Sequence, residues 1–243
     1  MLKAERLDKM LANLGYGLRK DVRGWIRDGL IEVNGKAATS PAQKVLADQV
    51  LLMGDKLDHP NGLTFIYHKP LDAVCSRKED GRLIYDDFPE RWLGRKPPLS
   101  SVGRLDKETS GLLIITDDGQ LNHQLTSPKK HISKTYAVTL ARPLHGDEGD
   151  RFGSGKLILE GEEKPCLPAE LIIHDDKHVS LILHEGRYHQ VRRMFAAVGN
   201  HVETLSRSHI GVLSLQDTAL AEGQYQTLTA EQLMSMIIPD TKT

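Results

Sequence analysis

The chain has 243 residues, 39% of them hydrophobic, and a formal net charge of −1. That length admits one large domain, or a medium domain with a small companion. The near-zero charge excludes a uniformly basic nucleic-acid binder and leaves only local basic patches to meet phosphate. No stretch approaches the roughly 18 consecutive apolar residues of a membrane span. The N-terminus alternates charges with leucines and lacks the apolar core of a secretion signal, so a cytoplasmic protein with no membrane contact is expected. Cys75 and Cys166, the two cysteines, match no zinc spacing and read as reduced, packed thiols.

In chain order, Leu7, Met10, Leu11 and Leu14 form one apolar stripe of a helix, which Gly15-Tyr16-Gly17 breaks. Val22, Trp25 and Ile26 give a second stripe, ended by Gly29. This helix carries Arg19, Lys20, Arg23 and Arg27. Leu30, Ile31 and Val33 read as a short strand, Asn34-Gly35 as a type I′ hairpin turn, and residues 45–53 as a closing strand. Pro60, Asn61 and Gly62 mark a linker. The expected division is a small domain over 1–58, a linker over 59–63 and a second domain over 64–243. In the second domain the apolar run 63–67 opens the fold. Strands are predicted over 111–116, 135–140, 169–173 and 179–183, and a helix over 187–198 with Val191, Met194, Phe195 and Val198 on one face. Strands and helices mix without βαβ alternation, so the class is α+β. The tail 239–243 is expected to fray. Further basic residues cluster at Lys129, Lys130 and Lys134, and at Arg187, Arg192 and Arg193.

The stretch most suggestive of chemistry is Gly103-Arg104-Leu105-Asp106-Lys107-Glu108-Thr109-Ser110-Gly111, a charged, glycine-bounded loop before a buried strand. Loops on rigid scaffolds often carry catalytic groups. Cations at Arg104 and Lys107 would keep Asp106 ionised, which suits a nucleophile or base. The structural alternative is a turn whose carboxylate satisfies local backbone N–H groups. His184, His189, His201 and His209 match no standard zinc spacing and read as surface or ligand-facing imidazoles rather than a metal set.

Gly-Arg-Leu-Asp-x-x-Ser/Thr-x-Gly-Leu before an apolar strand resembles the signature of the ribosomal pseudouridine synthases. Thr116-Asp117-Asp118-Gly119 follows at the matching place. Lys134-Thr135-Tyr136 resembles the family's Lys-x-Tyr motif, and Glu185 to Met194 its third motif. Residues 194–202 look closest to the branch acting on small-subunit ribosomal RNA. The N-terminal unit is similar to the RNA-binding domain first described in ribosomal protein S-four. The resemblance runs from Arg6 to about Leu233. It implies a pseudouridine synthase fold with a central mixed, mainly antiparallel sheet behind a small N-terminal α/β RNA-binding domain.

The resemblance further implies an isomerase that breaks the uracil–ribose bond at N1 and remakes it at C5, with no cofactor and no metal. Asp106 matches the essential aspartate, which attacks the anomeric carbon, attacks the ring or removes the 2′ proton. Tyr136 matches the tyrosine that packs against the target base. Arg192 matches the basic residue that pairs with the aspartate, and Leu183 an apolar pocket wall. Arg104, Arg187 and Arg193 are expected at the substrate, with Arg19, Lys20, Arg23 and Arg27 on phosphates. The implied partner of this monomer is ribosomal RNA or a small-subunit assembly intermediate. Leu18 departs from the pattern, standing where a helix-capping Ser is common; losing that cap costs about 1 kcal/mol. Two rivals stand beside this reading. One is an inactive RNA-binding or ribosome-assembly factor. The other is a nucleoside hydrolase, which would want a paired carboxylate.

Overall fold

The computed structural model describes residues 4–127 and 130–238; Lys129 and the tail 239–243 lie outside them. The chain forms two compact units. The first comprises the N-terminal residues through Thr64, together with Tyr85–Ser100 and Thr116–Gly119; the second comprises Phe65–Ile84, Ser101–Ile115 and the chain from Gln120 onward.

The first unit begins with helices Leu7–Asn13 and Arg19–Arg27. The predicted stripe of Leu7, Met10, Leu11 and Leu14 is buried, packed in one cluster with Val22, Ile31, Val45 and Val50. Leu18 offers no capping oxygen, yet half of the cap survives, because its N–H donates to Asp21 Oδ2 at 2.7 Å. The second helix ends on Gly29 at φ +72°. Gly29 N–H reaches Ile26 O at 3.1 Å and Leu30 N–H reaches Trp25 O at 2.9 Å, the paired bonds of a glycine C-cap. Those bonds claim Leu30, so the strand is Ile31–Val33 rather than 30–33. Asn34 and Gly35 both have positive φ, 52° and 71°, as a type I′ turn requires. The predicted strand 45–53 is instead Lys44–Val45, a 3₁₀ turn at Ala47–Gln49 and Val50–Leu52. The turn forms because Gln49 Oε1 accepts the Leu46 N–H at 2.9 Å.

The predicted linker and the residues just before it do more than connect. Asp55–Lys56 completes an antiparallel four-stranded sheet. The Asp58 carboxylate accepts from Trp92 Nε1 at 2.7 Å and from Arg91. Arg95 is buried, and donates to Asp117 Oδ2 at 2.9 Å and to His59 O at 2.9 Å. A Cβ on Gly15 would sit 2.1 Å from Arg91 O, so only glycine fits there. Nothing in the periodicity of residues 85–100 announced this packing.

The second unit is built on a sheet whose main path runs Glu170–Ile173, His178–Leu183, Lys134–Leu140, Val202–Ile210, Ser110–Thr116, Thr64–Lys69, Tyr225–Leu228. The first four strands pair antiparallel, and Val202–Ile210 then pairs parallel with Ser110–Thr116. This is the mixed, mainly antiparallel sheet of an α+β fold. Each of the four predicted strands is present within a residue of its expected ends. The helix predicted from residue 187 starts at Gln190, as Gln190–Ala197. Its N-terminal boundary is His189, in the left-handed region at φ 48°, while Gln190 Oε1 accepts the Arg187 N–H at 2.9 Å. Val191, Met194, Phe195 and Val198 are buried together against Val138, Leu181 and Leu205 of the sheet.

Candidate active site

Asp106 sits on the loop between Val102 and the strand Ser110–Thr116, at a pocket of ≈ 720 Å³ whose lining also includes Arg104, Tyr136, Leu183, Arg187 and His189. Gly103 turns the chain with φ +70°. Leu105 and Thr109, on either side of Asp106, are buried and anchor the loop. The Thr109 N–H closes a turn onto Asp106 O at 3.1 Å.

Two cations hold the loop's backbone. Lys69, fully buried, donates from Nζ to Thr109 O at 2.9 Å and to Pro70 O at 3.0 Å, with Lys107 O at 3.5 Å. Burial pushes the Lys69 ammonium below its usual range, while Cys75, Asp106 and Glu108 pull it back up. Arg192 donates from Nη2 to Glu108 O and from Nη1 to Val202 O, both at 2.9 Å. The expected ion pair between Arg192 and Asp106 is therefore not formed. The guanidinium is spent on main-chain carbonyls, so Arg192 positions the loop and lies outside the pocket lining. Asp106 instead meets His189, Nε2 to Oδ1 at 3.4 Å, a contact that becomes an ion pair only when the imidazole is protonated. His189 in turn stacks on Tyr188, ring centroids 3.9 Å apart and 16° between planes. Arg104 faces Glu79 at 3.1 Å and does not flank Asp106 as its place in the sequence had suggested.

Tyr136 is half-buried and has Leu181 and Arg207 as its cross-strand neighbours. Leu183 is buried and lies opposite Lys134, making the apolar wall. Arg187 and Arg193 are drawn into an internal cluster rather than left open. Both bond Glu162, Arg193 at 2.6 Å; Arg187 also pairs with Glu185 at 3.1 Å, and Arg193 also reaches Glu160 O at 2.6 Å. Burial works against the Arg187 charge, but Glu162 and Glu185 outweigh it and raise its affinity for the proton. These two arginines brace the turn before the Gln190 helix; Arg187 also lines the pocket, as expected of a residue at the substrate, whereas Arg193 does not. Arg19, Lys20, Arg23 and Arg27 lie on their helix in the first unit; Arg27 pairs with Asp28 at 3.2 Å.

Lys69, Arg207 and the His189 contact were not singled out by any motif. Arg207 had a signal: it occupies an inward position of Val202–Ile210 beside buried Leu205 and is itself 2% exposed. A charge on the buried face of a strand asks for a reason. Gly111 is required beside it, since a Cβ would meet the Arg207 backbone at 2.4 Å.

A carboxylate, a stacking aromatic and an apolar wall around one pocket suit a reaction on a flat base extruded into the protein. The RNA pseudouridylate synthase family matches residues 64–197, more than half of the chain. The chain belongs to the RNA pseudouridylate synthase family. An S4 domain matches residues 5–51. The synthase is 42% identical over 231 residues to the ribosomal small subunit pseudouridine synthase A of Pasteurella multocida, covering 94% of this chain and 97% of that one. With the enzyme of the same name from Escherichia coli K12 it shares 40% identity over 238 residues, 96% and 100% of the two chains. A crystal structure of a pseudouridylate synthase superposes with a TM-score of 0.65 at 39% identity, over 94% of this chain and 99% of that one. The S4 domain and the mixed-sheet synthase fold both agree with what the motifs implied.

Proposed function

We propose that this synthase converts one uridine of small-subunit ribosomal RNA to pseudouridine, with Asp106 as the reacting carboxylate. The observation that carries the reading is Asp106 and Tyr136 lining one pocket, in a chain that matches small-subunit synthases end to end. In this reading Tyr136 stacks the extruded base, and Leu183 closes the apolar side. Arg192 and Lys69 fix the loop that presents the carboxylate. His189 is a second polar group beside it, an imidazolium–carboxylate pair whenever its ring is protonated.

The net reaction is redox-neutral. The N1–C1′ bond breaks with its pair left on the base, C5–C1′ forms with a pair from the base, C5 loses a proton and N1 gains one. No cofactor is required for that exchange. The S4 unit, assigned here to residues 1–58 with a linker at 59–63 before the synthase domain at 64–243, captures RNA through Arg19, Lys20, Arg23 and Arg27. The enzyme acts as a cytoplasmic monomer on ribosomal RNA or on a small-subunit assembly intermediate. Among the described residues no helix is long and apolar enough to cross a membrane. Mapping pseudouridines in ribosomal RNA from cells with and without the gene tests the target. Loss of one small-subunit site supports the reading. Loss confined to large-subunit RNA or transfer RNA, or no loss at all, refutes it.

A further inference from the structure

Beyond Asp106 and Tyr136, the pocket contains polar atoms that the fold does not satisfy. Among the described residues, two buried side-chain atoms have no hydrogen-bond partner, Thr109 Oγ1 and Arg207 Nη2, and both residues line this one pocket. Thr109 is 1% and Arg207 2% exposed. The Arg207 guanidinium donates through Nε to Leu112 O at 2.8 Å, and no carboxylate among the described residues forms an ion pair with it. Buried polar groups are normally partnered, and a native exception calls for an explanation. A buried charge without a counter-charge is costlier still.

A second cation stands nearby. Lys134 lines the same pocket and donates to Ile132 O at 3.0 Å. Burial lowers the affinity of its ammonium for the proton, and the Arg207 charge lowers it further. Two cations that repel one another, with a free hydroxyl between the same walls, form a site whose complement lies outside the chain.

The strand register indicates where that complement belongs. Arg207 pairs with Tyr136 on one side and with Gly111 on the other. Adjacent partners in a sheet present their side chains to the same face. A base stacked on Tyr136 therefore has an edge toward Arg207, and Gly111 contributes no side chain to obstruct it. The edge of uracil reads acceptor, donor, acceptor, from O2, N3–H and O4. Two cationic donors and a hydroxyl able to accept are its complement. Cytosine, with an acceptor at N3 and a donor at C4, does not match.

We propose that Arg207, Lys134 and Thr109 form the base-recognition end of the pocket. The two cations donate to the uracil carbonyls, and the Thr109 hydroxyl accepts the N3–H. When the N1–C1′ bond breaks, the pair left on the base spreads onto O2 and O4, and the same two cations face that charge. The inference rests on the uridine-isomerising reading above and adds to it the means of selecting and stabilising the base.

The test is single-turnover tritium release from unmodified small-subunit ribosomal RNA labelled at uracil C5, with enzyme in excess, alongside filter binding of the same RNA. R207Q should react about 100-fold more slowly, as expected when a charged hydrogen bond to the transition state is removed, with RNA affinity within about twofold, since phosphate contacts dominate binding. R207K keeps the charge and should recover part of the rate. T109V is the sharper variant, because the hydroxyl it removes has no partner among the described residues. Its thermal stability should equal or exceed wild type while its rate falls about 10-fold. Should R207Q fail to fold, T109V and K134M carry the test. Wild-type rates in folded T109V or R207Q overturn the assignment, as does a slower rate explained wholly by weaker RNA binding. If the wild-type protein releases no tritium, the reading of function itself fails.

Discussion

At the scale of single residues, the site separates groups that meet the substrate from groups that hold them. In the proposed reaction Tyr136 is of the first kind. Tyr136→Phe keeps the ring and should bind RNA normally, whereas Tyr136→Leu removes the stacking surface. We expect the leucine variant to be slower than the phenylalanine variant by about tenfold, the worth of one base–aromatic stack. Equal single-turnover rates for the two would contradict the stacking role. Arg192 belongs to the second kind, since its bonds go to Glu108 O and Val202 O. Arg192→Gln should cost about 1.5–3 kcal/mol for the charged hydrogen bonds it removes, and should slow the reaction because a carboxylate displaced by about 1 Å forfeits on the order of 100-fold in rate. Both effects should appear together, read by denaturant melts and by turnover. A slow enzyme of undiminished stability would mean that Arg192 acts on the substrate directly. The motif stretches singled out Asp106, Tyr136 and Leu183, and the fold brings all three to one pocket. They misdirected the partner of Asp106 because adjacency in sequence does not fix direction in space. Arg104 turns to Glu79, and the carboxylate meets His189 across the pocket instead.

At the scale of elements, acid stability should be set by carboxylates that the fold keeps ionised. Glu148, 1% exposed, accepts the N–H groups of His145 at 2.8 Å and Gly146 at 2.9 Å. Burial alone would raise its carboxyl, but those bonds prevail and hold it below the usual glutamate range. Asp8, also buried, is lowered chiefly by the two-pronged bond from Arg6. A folded-state carboxyl that binds its proton more weakly than the unfolded one contributes stability above the unfolded value, and that stability disappears as pH falls through the folded one. Wild-type stability should thus decline below pH about 4.5. Glu148→Gln should be less stable at neutral pH and flatter between about pH 5 and 3; an unchanged acid profile would dismiss the role. The helix Arg19–Arg27 makes a separate prediction. Neutralising Arg23 and Arg27 together should weaken RNA binding and flatten its salt dependence, by about one unit of slope for each phosphate no longer engaged. An unchanged slope would mean that the stripe only solubilises the helix. Helices and strands with a strong period were legible because one buried face dictates them. The Leu30, 45–53 and 187–189 boundaries shifted where a cap or a single glutamine side chain claimed the backbone N–H groups, a competition that periodicity does not register.

At the scale of the whole molecule, the S4 match and the motifs indicate a two-part organisation, and the packing complicates where to cut it. Residues 85–100 pack in the first unit, with Trp92 and Arg91 on Asp58 and Lys96 N–H on Asn13 O at 2.8 Å. A truncation at Pro60 would remove those partners and uncover Trp92, which is 5% exposed in the intact chain, so charge reversal on the helix is the cleaner probe of RNA capture. Whether Asp106 isomerises uridine in small-subunit ribosomal RNA can be read from a single reaction. Unmodified small-subunit RNA carrying tritium at uracil C5 is incubated with excess wild-type or D106N protein, and both released tritium and the digested nucleosides are followed. The exchange of carboxylate for amide is nearly isosteric, so D106N should fold and bind RNA as wild type does. Wild type should release one tritium per RNA and yield one pseudouridine, with no free uracil; D106N should be slower by about three orders of magnitude or more. Free uracil from wild type, no release from wild type, or substantial turnover by folded D106N would contradict the account.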